Sequence, residues 1–259
     1  MTATTRTLTC QIAALEDLTP DVFRVHLEGR AEAMAHAPGQ YLELRLDEDT
    51  WVPFSIANAH SGDGMLELHI QHWPERSNSA RLRRLMQHAA RLTLRLPGGE
   101  CILDPDSERP LLLVAAGTGF SQMKSIVEAA LAADPERHIE LWWAARERRE
   151  LYLESLARHW ASHYPNFHFH GVAEADMPVD FEALRVTGHR GRIDAVLGRE
   201  LPSVKGRDVY LSGSPGMVYA CVDVLASLEL EPSRVFSDVF GYAPREPLVP
   251  TLGSLIRRE

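Results

Sequence analysis

"LLLVAAGTGFSQ", Leu111 to Gln122, is where the reading of the chain turns. Six apolar residues run without a break, then Gly117 and Gly119 interrupt them. An unbroken apolar run is what a strand buried on both faces needs. Met123, Ile126, Val127, Ala130 and Leu131 follow at spacings of three and four, which lays them along one face of a helix. A buried strand that passes through a glycine turn into a helix is the first half of a βαβ unit.

Downstream the unit repeats. "HIELWWAA" is a second buried strand, and Leu153, Leu156, Ala157, Trp160 and Tyr164 stripe the helix after it. "FHFHGV" and "DVYLSG" read as further strands, Val218, Cys221, Val222 and Leu225 as another helix, and "VFSDVF" as a last strand. Strand alternating with helix predicts a parallel sheet.

Upstream the period is two. Phe23, Val25, Leu27; Leu42, Leu44, Leu46; Leu66, Leu68, Ile70; and Leu92, Leu94, Leu96 alternate with polar residues, Glu67 and His69 among them. Such rows predict antiparallel strands with one face in a core and the other in solvent, closed into a small barrel or sandwich. One helix is expected from Ser79 to about Ala90. The change of period puts the boundary near Asp104, giving an antiparallel β domain at 1–104, an α/β parallel-sheet domain at 105–243 and an extension at 244–259.

Length and composition set outer bounds. The 259 residues suffice for two cores, and 45% apolar with 24% charged residues is ordinary for a folded chain. A net charge of −9 repels phosphate backbones, so no nucleic-acid partner is expected. Cys10, Cys101 and Cys221 lie far apart and cannot build an iron–sulfur centre; they read as free thiols in a reducing compartment. With no apolar leader and no run long enough to cross a bilayer, the expectation is a cytoplasmic protein away from membranes.

Ligands of open α/β sheets sit beyond the carboxyl ends of the strands, at helix N-termini. Two glycine-bearing turns hold that position. In "AAGTGFSQ", Gly117 and Gly119 serve either a tight turn or the approach of backbone to a ligand, and Thr118 or Ser121 can cap the helix; Gln122 breaks the dinucleotide fingerprint, which needs glycine there. In "SGSPGM", Pro215 or Gly216 opens a helix, and Ser212 stands where a nucleophile elbow requires glycine. "AARERRELYL" gathers Arg146, Arg148 and Arg149, either as a solvated helix start or as a contact for an adenosine ribose or its 2′-phosphate. His159 and His163, or His168 and His170, find no third ligand, so no metal site is expected. "WVPFSIANAH", Trp51 to His60, carries a proline that marks a strand edge or an opening in the sheet, beside an aromatic ring and a hydroxyl.

In order and spacing, "PFSIAN", "ELHI", "ERPLLLVAAGTGFSQMKSI", "ELWWAARERRELY", "DVYLSGSPGMV" and "VFSDVFGY" resemble the ferredoxin–NADP reductase superfamily and, within it, the NAD(P)H:flavin oxidoreductases. The resemblance implies a flavin-binding antiparallel barrel followed by a nicotinamide-binding α/β domain. It implies that Pro53 opens a strand edge, that Phe54 packs by the isoalloxazine and that Ser55 hydrogen-bonds its N5. It places His69, Ile70 and Gln71 at the pyrimidine side, and Thr118, within the Gly117, Gly119, Phe120 and Ser121 turn, near both ligands. Gly213, Ser214 and Pro215 would hold the nicotinamide, where many relatives have cysteine at Ser212, and Asp238 with Phe240 would shape the hydride-transfer site.

Departures matter as much. Val52 stands where relatives have a flavin-clamping arginine, and Arg76 replaces the glycine of a G-x-x-S turn that ends here in Ser79. Both changes imply a weakened clamp on the FAD pyrophosphate. The activity expected is hydride transfer from NADH or NADPH to an exchangeable flavin (FMN, FAD or riboflavin), with a monooxygenase or other electron-accepting protein as partner. The second reading keeps FAD or FMN bound and passes electrons to an iron–sulfur or haem partner. Weak discrimination between NADH and NADPH is expected from Arg146, Arg148 and Arg149, with no acid evidently opposing them. The stretch from Pro244 to Glu259 reads either as a frayed end or as a flap over the flavin or a partner.

Overall fold

Two sheets form from the two periodicities. The computed structural model describes residues 4–73, 75, 77–177 and 183–245, apart from the side chains of Ser77 and Asn78. Arg76 and the stretch 246–259 lie outside the described residues.

The first sheet contains β1 (Arg6–Thr19), β2 (Val22–Glu28), β3 (Tyr41–Arg45), β4 (Trp51–Ser55), β5 (Met65–Gln71) and, after helix α1 (Ser77–His88), β6 (Arg91–Gly98). It is antiparallel throughout, in the order β4-β3-β6-β1-β2-β5. Its two edges approach each other: Ala57 N donates to Glu67 O at 2.7 Å and Glu67 N to Asn58 Oδ1 at 2.8 Å, so the sheet curls into a barrel. The alternating apolar rows fill it. Phe23, Val25, Leu27, Leu42, Leu44, Leu66, Leu68, Leu94 and Leu96 are all buried, each such side chain contributing about 1.5–3 kcal/mol. Pro53 lies on the edge strand β4, opposite Glu43, where its missing N–H costs no ladder bond.

The second sheet is built from β7 (Leu111–Ala116), β8 (Ile139–Glu147), β9 (Phe167–Asp176), β10 (Val186–Arg190), β11 (Asp208–Ser212) and β12 (Val235–Phe236). All are parallel, in the order β10-β9-β8-β7-β11-β12. Helices α2 (Phe120–Ala133) and α3 (Glu154–His163) cover one face; α4 (Ile193–Glu200) and α5 (Pro215–Ala226) cover the other. This is why its strands are apolar without alternation. Neighbouring Trp142 and Trp143 point to opposite faces and both are buried. The strand order reverses between β7 and β11, which opens a crevice at their carboxyl ends. No described helix is long and apolar enough to cross a membrane.

Three features differ from the sequence reading. Only Val235–Phe236 of "VFSDVF" is strand; the chain then turns at Asp238 into the four-residue helix α6 (Val239–Tyr242). β10 and α4 complete the sheet from a segment whose Gly188 and His189 gave no strand signal. The third difference concerns the outward row of β5. Glu67 and His69 do not face solvent; they are 8% and 4% exposed, because α2 packs over them.

That packing is polar. Lys124 on α2, itself buried, donates from Nζ to Glu67 Oε2 at 2.9 Å and to Ala57 O at 3.1 Å, and pairs with Glu128 at 2.7 Å. His69 lies 2.8 Å from Glu67 Oε1 through Nε2 and 3.0 Å from the Tyr152 hydroxyl through Nδ1. Burial holds His69 below its ordinary value, so it is neutral at pH 7. An ionised Glu67 only accepts, so Nε2–H donates to it and Nδ1 accepts from Tyr152. Burial alone would raise the Glu67 carboxyl. The hydrogen bond from His69 and the charge of Lys124 together outweigh burial and hold the carboxyl at about 2.

Because this folded value lies below the ordinary 4.5, the cluster's contribution is complete above that pH and is lost as pH falls towards 2. Urea midpoints of the wild type should therefore fall more steeply than those of Glu67→Gln across this window. Parallel profiles would show that Glu67 does not carry the acid sensitivity.

Candidate functional site

The crevice at the switch point opens onto the barrel as a cleft of about 1260 Å³. Tyr41, Glu43, Pro53, Phe54 and Ser55 form its barrel wall; Gly117, Thr118, Gly119, Gly213 and Ser214 form the α/β wall; Asp238, Phe240 and Tyr242 close one end. A second cleft, of about 780 Å³, continues from it over the ends of β8 and β9. Gln71, Ala116, Gly117, Thr118 and Ser214 line both.

The glycine turns have distinct reasons. Gly117 has φ +54, and nothing lies within 4 Å of the place a Cβ would occupy, so its backbone faces open cleft. Its carbonyl is fixed by Trp143 Nε1 at 3.0 Å. Gly119 serves packing instead: a Cβ there would lie 2.3 Å from the Ser212 carbonyl oxygen, so only glycine lets the β7 and β11 turns come together. At the other turn, Ser214 caps α5 by accepting from Met217 N, with Pro215 at the first helical positions.

Most of the residues singled out in sequence meet here, though not all as expected. Pro53 and Ser55 share the cleft-facing row with Tyr41 and Glu43, and the Ser55 hydroxyl has no hydrogen-bond partner among the described residues. Phe54 pairs with Leu42 and packs partly into the barrel core while edging the cleft. Val52 pairs with Leu44 on that same inward row and does not line the cleft, so position 52 does not offer a side chain to it.

Gln71 lines both clefts, but the Ile70 side chain belongs to the barrel core. His69 reaches the cleft wall with both ring nitrogens spent on Glu67 and Tyr152. Phe120 is fully buried and stacks on Trp143 at 3.8 Å, behind the wall rather than on it. Ser79 is off the cleft, accepting from Trp73 N at 2.8 Å. Ser121 lies on the wall with its hydroxyl buried beside Tyr152. Arg146 lines the second cleft and is largely exposed.

Asp238 is a tie as well as a wall. Oδ1 accepts from the backbone N–H groups of Glu100 (2.9 Å) and Cys101 (3.2 Å), and Oδ2 accepts from Gln122 Nε2 at 2.8 Å. Gln122 also donates to Gly39 O at 2.6 Å. The residue that broke the dinucleotide fingerprint thus binds α2 to the barrel and to α6. Sequence reasoning missed this role, as it missed Lys124; the available signal was that lysine occurs only twice in the chain, at Lys124 and Lys205. The histidines weighed as metal ligands have ring partners within the protein. The His159 and His163 rings lie tilted against each other on one helix face, their centroids 3.9 Å apart, and His170 stacks on Trp142 and hydrogen-bonds His189 at 3.1 Å. Among the described residues no three metal-binding side chains converge.

An oxidoreductase FAD-binding domain matches residues 9–102, and an oxidoreductase NAD-binding domain matches residues 113–223. The chain carries the FAD-binding and NAD-binding oxidoreductase domains of the ferredoxin reductase family. Reductase component 2 of terephthalate 1,2-dioxygenase from a Comamonas species is 32% identical over 209 residues, 80% of this chain and 60% of that protein. The NAD(P)H-flavin reductase of Vibrio harveyi is 28% identical over 244 residues, covering 91% of this chain and 99% of that one. The chain spans 60% of the length of both terephthalate dioxygenase components that it matches. The crystal structure of the Amycolatopsis cytochrome P450 reductase GcoB superposes with a TM-score of 0.78 at 26% identity, over 90% of this chain and 69% of that one.

Flavin and a nicotinamide dinucleotide are the cofactors of these two domains. The residues present fit them: an edge strand with an unspent hydroxyl, an apolar wall, and an open glycine turn leading into α2.

Removing the tie should be costly. Asp238→Ala leaves two backbone N–H groups and Gln122 without their acceptor and should lower stability by about 2–3 kcal/mol. Urea unfolding checks this; a change within error would show that water replaces the carboxylate.

Proposed function

We propose that the chain is an NAD(P)H:flavin oxidoreductase whose flavin (FMN, FAD or riboflavin) is weakly held and exchangeable. Its reduced product then serves a monooxygenase or another electron-accepting protein. When bound, the two cofactors supply a hydride donor at nicotinamide C4 and an acceptor at flavin N5. The protein's part is orientation and exclusion of water. Ser55 offers an unspent O–H at the cleft edge, Gly117 lets a ligand approach the backbone, and Phe240 and Tyr242 cover the end of the cleft.

One observation carries the exchangeable-flavin reading. Among the described residues the cleft wall holds Glu43, Glu100 and Asp238 but no arginine or lysine. Glu43 is paired with Arg95, Asp238 is spent on N–H donors, and Glu100 is exposed. A flavin phosphate finds no counter-charge there. Such a charge-assisted contact is worth about 1.5–3 kcal/mol, so its loss weakens FMN and FAD about ten- to hundredfold and spares riboflavin. The likeness to the V. harveyi NAD(P)H-flavin reductase over most of both chains supports the same reading.

The identity with a dioxygenase reductase component favours a second reading, in which the flavin stays bound and electrons pass to an iron–sulfur or haem partner. Fluorescence titration separates the two. Dissociation constants for riboflavin, FMN and FAD should agree within about tenfold, and NAD(P)H oxidation should require added flavin. Submicromolar FAD binding against far weaker riboflavin would favour the second reading. Ser55→Ala should lower kcat/KM for flavin about tenfold while leaving the melting temperature unchanged, because that hydroxyl holds nothing in the protein itself.

A further inference from the structure

We propose that the second cleft selects NADH over NADPH, and that Glu174 on β9, with Glu147 and Glu150, is what excludes the 2′-phosphate. The proposal rests on the reading of the chain as a nicotinamide-dependent reductase. The ligand is given by the NAD-binding domain over residues 113–223, and its adenosine end by the fold: the cleft lies beyond the carboxyl ends of β8 and β9, next to the β7 switch point.

The sequence suggested a positive site, since Arg146, Arg148 and Arg149 crowd one turn. The structure shows each of these guanidiniums already facing a carboxylate. Arg149 Nε lies 2.6 Å from Glu147 Oε2. Arg146 Nε lies 3.9 Å from Glu150 Oε1, and Glu150 Oε2 also accepts from Arg146 N at 3.0 Å. Arg148 is held by Glu154 at 2.9 and 3.1 Å and does not line the cleft.

Two further carboxylates arrive from elsewhere in the fold, Glu174 from β9 and Asp21 from the β1–β2 turn of the barrel. The walls therefore carry Arg146 and Arg149 against Asp21, Glu147, Glu150 and Glu174. Glu174 has no ion-pair or hydrogen-bond partner among the described residues, and it is exposed.

A 2′-phosphate brings between one and two negative charges at pH 7 (roughly 1.5–2). To be held by Arg146 or Arg149 it must displace a glutamate that then stays beside it, and Glu174 faces it in any case. A ribose 2′-hydroxyl has the opposite need: it donates a proton, and an unspent carboxylate is the acceptor it requires. The same wall that repels the phosphate thus receives the diol. Glu174 is a specificity-determining residue on the third strand of the unit, where a pattern search along the arginine-rich turn does not look.

Calorimetric titration of the full chain with ADP-ribose and with 2′-phospho-ADP-ribose tests this without turnover. ADP-ribose should bind at least about tenfold more tightly, and the gap should narrow in high salt. Glu174→Gln and Glu147→Gln should each close part of the gap by improving 2′-phospho-ADP-ribose binding, the second by freeing Arg149. Equal or tighter binding of the phosphorylated analogue by the wild type overturns the proposal, as does a gap that neither variant changes. Flavin-dependent oxidation of NADH and NADPH by the same sample keeps the two claims apart. Activity with equal analogue affinities sinks the selectivity alone, whereas no activity with either nucleotide and any flavin sinks the reductase reading as well.

Discussion

The ammonium of Lys124 holds the two sheets in register. It leaves α2 of the second sheet and ends among Glu67 of the barrel, the Ala57 carbonyl and Glu128. A charge buried at a domain interface is tolerable only when paired and hydrogen-bonded, and removing one partner of such a pair typically costs about 3–5 kcal/mol. The penalty for misplacing it is what makes it a register device. β5 can present Glu67 to α2 in one alignment only, and a one-residue slip would offer Leu66 or Leu68 instead. Asp238 and Gln122 repeat the logic at the other end of the interface, tying Gly39 and the Glu100–Cys101 backbone to α2 and α6. Gln122 and Asp238 themselves line the cleft.

The chemistry of the cleft follows from what those anchors consume. His69 and Asp238 stand on its wall, yet their polar atoms are committed to the protein, so neither is free to move a proton for a ligand. Among the described groups left uncommitted are the Ser55 and Thr118 hydroxyls and the Gln71 amide, beside the exposed carboxylate of Glu100. For the proposed function this is no obstacle, because hydride transfer between two cofactors needs orientation and dryness more than acid–base catalysis. The electrostatic balance is consistent along the whole groove. The first cleft has no cation on its described walls, and the second has more carboxylates than guanidiniums among its described residues. Both are local expressions of a chain whose net charge is −9.

Much of this was legible in the sequence, for definite reasons. The β7 strand and its glycine turn are written in a run that no half-exposed strand would tolerate, and the barrel rows are written in strict alternation. Pro53 correctly marked an edge. The failures concern residues whose partners come from the other sheet. Alternation put Glu67 and His69 in water because nothing local reveals that α2 covers them. Asp238 sits inside what reads as a strand, but its carboxylate is claimed by the Glu100–Cys101 backbone, more than a hundred residues away, and the strand stops short. The arginine turn read either as solvated or as a phosphate contact with no acid evident against it, because Glu174 comes from the next strand, β9, and meets the cleft only in space.

The central proposal is that the flavin is a passing substrate because the described walls of the cleft offer its phosphate no counter-charge. Flavin content tests it most directly. The chain is purified without added flavin, passed through gel filtration and denatured, and the released flavin is measured against protein. The account predicts well under about 0.1 flavin per chain, as expected of a ligand bound no more tightly than micromolar. A yellow protein that releases one FAD per chain would contradict it.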